Sequence, residues 1–190
     1  MPSVVTHSVV GAVVSRMIPA RSVPKRFWVL SVLLPSFPDI DVIGIAFGVA
    51  GEDLFGHRGI THSLSFAVIV GVLVVALFFR KSKLTGKSAF FLTAYFVLLT
   101  ASHGFLDAFN DSRLGVAFWA PFENTRYFFP FNPVVPSSVL LPDGAPLGFT
   151  LIIEKIYILM RSEVLWIWVP LFLLFFGNRV LSRLIKRSSS

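Results

Sequence analysis

Apolar positions along this chain fall into long unbroken stretches, not into the three-and-four or two-residue repeats of a soluble helix or strand. Ser63 to Phe79 (SLSFAVIVGVLVVALFF) is a 17-residue run without a charge, close to the ~20 residues that cross about 30 Å of hydrocarbon. Ser88 to Ser102 and Val164 to Gly177 repeat the pattern, the latter carrying Trp166 and Trp168 in the manner of an interfacial pair. Phe27 to Ala50 is also apolar but is broken by Pro35, Pro38, Asp39 and Asp41, and Val4 to Ala20 is a moderately apolar stretch containing His7 and Arg16. These two read as helices that are short, tilted or interrupted. The pattern predicts an all-α integral membrane helical bundle of about five spans.

Between the fourth and the last apolar runs lies a long outer loop region, Phe105 to Thr150, dense in Pro, Gly, Asn and Phe. It is expected to lie over the helix ends as a lid or a docking surface. Neither a fixed-period repeat nor a linker interrupts the chain, which reads as one membrane-embedded domain over residues 1–187 with a Ser tail at 188–190.

Charge orients the spans. Twelve of the 17 basic residues fall into three groups that contain no acid: Arg16, Arg21, Lys25 and Arg26; Arg80, Lys81, Lys83 and Lys87; Arg179, Arg183, Lys186 and Arg187. The positive-inside rule places all three in the cytoplasm. Chain order then gives a multi-pass cell-membrane protein with its N-terminus outside and its C-terminus cytoplasmic. No basic region precedes the first apolar stretch, so that helix is expected to stay rather than to be cleaved as a signal peptide. The formal net charge of +7 would also suit a nucleic-acid binder. The cations, however, sit beside apolar spans and not along one polar face with interleaved aromatics, so membrane lipid is the expected partner and nucleic acid is not.

A mean hydropathy of +0.77 makes each ionisable group costly, and their positions therefore informative. The chain has no Cys and four His, which removes disulfides, thiol chemistry and Cys-ligated zinc. His7, Asp39 and Asp41 (PDID), His57 and His62 (HRGITHS), and His103 and Asp107 (HGFLD) all fall at helix ends on the side away from the basic groups. His103 and Asp107 are four apart and share a helix face, a spacing that serves either a common ion or a simple hydrogen-bonded pair. His57 and His62 flank Gly59 in a turn that Thr61 or Ser63 caps into the next helix, with Arg58 between them. Asp39 and Asp41 after Pro38 read equally as a helix stop and N-cap. His7 alone reads as a packing residue and gains weight only from its company. Glu52, Asp53, Asp111, Glu123 and Asp143 are expected to be solvated.

Several His and Asp without Cys form a donor set that zinc suits best, with manganese, iron and magnesium poorer fits in that order. One or two divalent ions are expected, bridged by a carboxylate such as Asp41 or Asp107. Such a centre supplies hydroxide from bound water at neutral pH, and Arg58 can steady charge on a phosphoryl oxygen. Asp41 and Arg58 are thus the expected catalytic side chains. Nucleophile elbows, Gly-rich phosphate loops and dinucleotide fingerprints are missing from the sequence.

The strings around His7, Pro38-Asp39-Ile40-Asp41, His57-Arg58-Gly59-Ile60-Thr61-His62-Ser63 and His103-Gly104-Phe105-Leu106-Asp107 resemble the YdjM-type membrane-bound metal-dependent hydrolases. The resemblance covers roughly Thr6 to Phe122. That family is similar to the zinc-dependent phospholipase C and P1 nuclease group, all-helical enzymes that cleave phosphoesters with zinc ions held by His and Asp. The resemblance implies that His7, Asp39, Asp41, His57, His62, His103 and Asp107 are the metal ligands. A phospholipid or lipid-linked phosphate is the substrate class that a site toward the outer face meets first. The rival expectation is a non-catalytic membrane protein whose His/Asp cluster binds or relays ions or holds helices together.

Overall fold

Two prolines decide the shape of the second apolar stretch. Helix α2, Lys25–Leu33, gives way to a tight 3-10 segment, Leu34–Asp41, because Pro35 and Pro38 cannot donate to the α-helical ladder; a short α3, Val42–Ala46, follows. The protein is described from a computed structural model covering residues 2–18, 23–82, 84–110, 114–135 and 148–188. Helix α1, Val4–Met17, starts at Ser3, whose hydroxyl accepts from the Thr6 amide. Helix α4, Leu64–Phe78, is capped the same way by Ser63, and α5, Gly86–Asp107, by Thr85. The last rod begins as α6, Phe149–Glu163, passes through a π-helical turn, Val164–Trp168, and continues as α7, Val169–Ser188.

The all-α architecture is as expected, but the lengths differ. Among the described residues, three stretches are long and apolar enough to cross a membrane: Lys25–Ala46, Gly86–Asp107 and Phe149–Ile185. The Ser63 run yields a helix of only 15 residues, a rise of about 22 Å, because Ser63 is spent on the cap and Phe79 ends the helix. α1, with 14 residues, is equally short. The last span is far longer than its uncharged run, since Glu154, Lys155 and Arg161 interrupt the hydropathy and not the helix. Arg21, Lys83, Asp111, Asp143 and the end of the Ser tail lie outside the described residues.

The helices pack around Phe27, Val70, Val74, Phe96 and Leu99, contributed by α2, α4 and α5. α1 lies directly on α2 at Gly11, where a Cβ would come within 1.8 Å of the Ser31 carbonyl oxygen. On its other side α1 meets the last rod through Val10 and Ile167, with Val134 from the long loop. Residues 47–62, 108–110 and 114–135 form a cap over one end of the bundle. Isolated bridges tie the cap together, Val116 with Tyr127 and Asn110 with Val134. Arg126 adds hydrogen bonds at 2.9 Å to the carbonyls of Gly51, Asp53 and His57. At the opposite end Arg26 donates to Ser82 Oγ at 2.8 Å, and the Arg16 guanidinium covers the Trp28 ring at 4.7 Å.

Candidate metal centre

Four chain segments end beneath the cap: the start of α1 with His7, the 3-10 segment with Asp39 and Asp41, the turn before α4 with His57 and His62, and the last turns of α5 with His103 and Asp107. The turn owes its shape to two neighbouring residues. Arg58 takes a left-handed conformation (φ 64°), which turns the chain. Gly59, expected to make the turn, has an ordinary φ of −83°. It is needed because a Cβ there would lie 2.2 Å from the Leu54 carbonyl oxygen.

All seven expected side chains converge. His7 stacks on His103 with ring centroids 3.9 Å apart, and its Nε2 lies 3.4 Å from Asp107 Oδ1. His103 Nε2 is 2.9 Å from His62 Nε2, 3.3 Å from Asp39 Oδ1 and 4.0 Å from Asp107 Oδ2. His62 Nε2 stands 3.7 Å from both Asp39 Oδ1 and Asp107 Oδ2. These separations bracket the ~3.4 Å edge of a tetrahedron with bonds of about 2.1 Å to its centre. Among the described residues, two triads have ligand atoms within 4.8 Å of one another: His7, His103 and Asp107; and Asp39, His57 and His62.

The hydrogen bonds behind the cluster fix which nitrogens face inward. His103 Nδ1 donates to the Pro35 carbonyl at 2.6 Å, and His62 Nδ1 lies 3.0 Å from Thr61 Oγ1 and 3.1 Å from Asp41 Oδ2. Both Nε2 lone pairs are thereby aimed at each other with no proton left over between two neutral rings. Asp41 is engaged on both oxygens: Oδ1 with His57 Nδ1 at 2.8 Å, and Oδ2 with Thr61 Oγ1 at 2.6 Å and the Arg58 amide at 3.1 Å. Its side chain does not cap α3. It stands behind the imidazoles of His57 and His62, as carboxylates do behind metal-binding histidines.

Among the described residues, several buried polar atoms have no hydrogen-bond partner: both ring nitrogens of His7, both carboxylate oxygens of Asp39 and Oδ1 of Asp107. Arg58, 1% exposed, supplies the charge contact to Asp107, Nε to Oδ2 at 3.0 Å. Three carboxylates against this one guanidinium leave the cluster two negative charges when the rings are neutral. Orphaned acceptors and a doubly negative, buried pocket are what a divalent cation satisfies. The field shows in His62: burial opposes its protonation, yet the carboxylates of Asp39, Asp41 and Asp107 around it raise its pKa above the ordinary histidine value. His57 is the most open of the imidazoles, its side chain 17% exposed.

Three contributors were not legible as site residues. Thr61 bonds Asp41, and the Pro35 carbonyl orients His103. Glu163, fully buried, accepts from Ser3 N, from Ser3 Oγ at 2.7 Å and from Thr6 Oγ1 at 2.5 Å beside His7. The only signal for Glu163 was an acid next to an apolar run. Glu52, Asp53 and Glu123 are exposed.

These features define an α-helical, multi-pass membrane protein with a buried centre of imidazoles and carboxylates able to hold metal. The chain belongs to the YdjM inner membrane protein family, which matches residues 1–187. It is 33% identical over 174 residues to inner membrane protein YbcI of Escherichia coli (strain K12), an alignment covering 90% of this chain and 92% of that one. No solved structure matches the chain.

Proposed function

We propose that this protein is a membrane-bound, metal-dependent hydrolase of phosphoesters, acting on a phospholipid or lipid-linked phosphate with one or two divalent ions, zinc by preference. The observation that carries the reading is the pair of facing Nε2 atoms of His62 and His103, 2.9 Å apart, each with Nδ1 already turned to an acceptor. Between neutral rings such a contact sets two lone pairs against each other, a repulsion that bound cations relieve. His7, His103 and Asp107 would hold one ion, and Asp39, His57 and His62 a second.

A bound divalent ion supplies acidified water, a nucleophile at neutral pH. The chain's own residues do the rest. Asp41 fixes the tautomer and orientation of His57 and His62, and the Pro35 carbonyl does so for His103. Arg58 offsets the charge of Asp107 inside the cluster. His57 and Asp39, the least buried of the ligand set, mark the side from which water and substrate reach the centre. The basic groups at the other end of the bundle favour an orientation with the centre toward the outer face, the N-terminus outside and the C-terminus cytoplasmic.

Metal analysis of the detergent-purified protein tests the reading. At least one equivalent of zinc, lost in the His57→Ala, His103→Ala double variant, is expected, together with chelator-sensitive hydrolysis of a phosphodiester. Less than one equivalent, unchanged in the variant, would overturn it. Bound metal without hydrolysis would leave an ion-binding membrane protein instead.

A further inference from the structure

The cap carries more exposed apolar surface than a water-facing segment tolerates. Phe47 is 82% exposed, Phe55 67% and Phe122 89%, and Trp119, Phe128 and Phe131 are each more than half exposed. None of these residues lies in a helix, so the exposed apolar surface extends from the helices onto the loops of the cap. A patch of this kind marks a lipid or protein contact.

The height of the bundle distinguishes the two. Helical rise puts Arg16 about 14 Å from His7, Lys87 about 24 Å from His103, and Arg179 about 24 Å from Glu163, which bonds the first turn of α1. The first cations below the metal centre therefore lie about 14 to 24 Å from it, whereas the hydrocarbon layer is about 30 Å thick. With those cations at one headgroup boundary, several ångströms of acyl chain remain above the centre, at the level of the cap.

The cap's own charges supply the other boundary. Glu52, Asp53 and Glu123 are exposed together along one edge, where Asn124 reaches the Glu52 carbonyl at 3.4 Å and Arg126 holds the carbonyls of Gly51 and Asp53. Aromatic and aliphatic side chains below a charged edge are the arrangement found at a membrane interface.

We propose that the cap is seated in the lipid leaflet on the side of the metal centre, with Phe47, Phe55 and Phe122 among acyl chains and the Glu52–Glu123 edge at the headgroups. The centre then opens to amphiphiles moving in the plane of the membrane rather than to solutes in bulk water. This placement goes beyond the hydrolytic reading and does not depend on it.

Because the chain has no Cys, single-cysteine variants report one position each. Phe47→Cys, Phe122→Cys and Glu52→Cys would be reconstituted one chain per nanodisc in phosphatidylethanolamine and phosphatidylglycerol, which excludes a second copy as the cover. Each would then be reacted with a charged maleimide. Phe47 and Phe122 are solvent-facing in the isolated chain, so replacing them removes little packing, and labelling in SDS confirms that each thiol is present. We expect position 52 to label at the rate of a free thiol and positions 47 and 122 at least tenfold more slowly. Rates at either aromatic position equal to that at 52 would overturn the proposal.

Discussion

The Glu163 carboxylate accepts a 2.5 Å hydrogen bond from the Thr6 hydroxyl across 157 residues of sequence. Thr6 in turn receives the Trp168 indole N–H at 2.8 Å. The last rod thus grips the first turn of α1, one residue from His7, at the place where its own helix widens into a π turn. A carboxylate set against the exposed amides of a helix start also answers the helix dipole.

Glu163→Ala strips the partner from buried donors and should lower the unfolding free energy by about 1–3 kcal/mol. Glu163→Gln, which keeps the shape and one acceptor, should lose less. Thermal unfolding in detergent ranks the two. Equal stability of Glu163→Ala and the parent protein would refute the grip.

Asp41→Asn tests the oxygens behind the imidazoles. The amide keeps the volume but presents a donor where His57 or Thr61 needs an acceptor, so one ring loses its set orientation. Zinc affinity should fall by about 10- to 100-fold, the usual cost of losing such a partner, with little change in secondary structure. Calorimetric titration of the metal-free protein measures it.

Arg58→Met removes the positive charge facing Asp107 and leaves the buried carboxylates less compensated. The metal-free protein should lose about 3–5 kcal/mol, as when one member of a buried ion pair is deleted. Added zinc restores positive charge, so it should raise the melting temperature of Arg58→Met by more than it raises that of the parent. An equal or smaller rise would count against the charge balance described here.

At Gly11, alanine places a methyl group 1.8 Å from the Ser31 carbonyl oxygen, while at Gly177 it meets nothing within 4 Å. Gly11→Ala should cost about 1–3 kcal/mol through forced separation of α1 and α2, and Gly177→Ala should cost nothing measurable. Paired melting curves separate close packing from a general dislike of alanine.

The sequence marked the centre because its scarce ionisable groups stood at helix ends, and the PDID, HRGITHS and HGFLD strings survive as one cluster. Individual roles were harder to read. Residue type does not reveal that Asp41 turns both oxygens to donors while Asp39 turns neither. Span lengths depart from the uncharged runs for a related reason. Hydropathy counts uncharged residues, whereas the helix obeys caps such as Ser63 and runs through Glu154, Lys155 and Arg161 where the backbone ladder permits. Glu163 was obscured by those same charges.

The grip of Glu163 on Ser3 and Thr6 has a consequence for biogenesis. Translation delivers His7 first and Asp107 a hundred residues later, but the lock on the opening helical turn arrives only with the final rod. A nascent chain halted before that rod would carry all seven His and Asp side chains of the cluster yet lack the clasp, so the first turn of α1 gains its Glu163 contacts only once the last rod has been made.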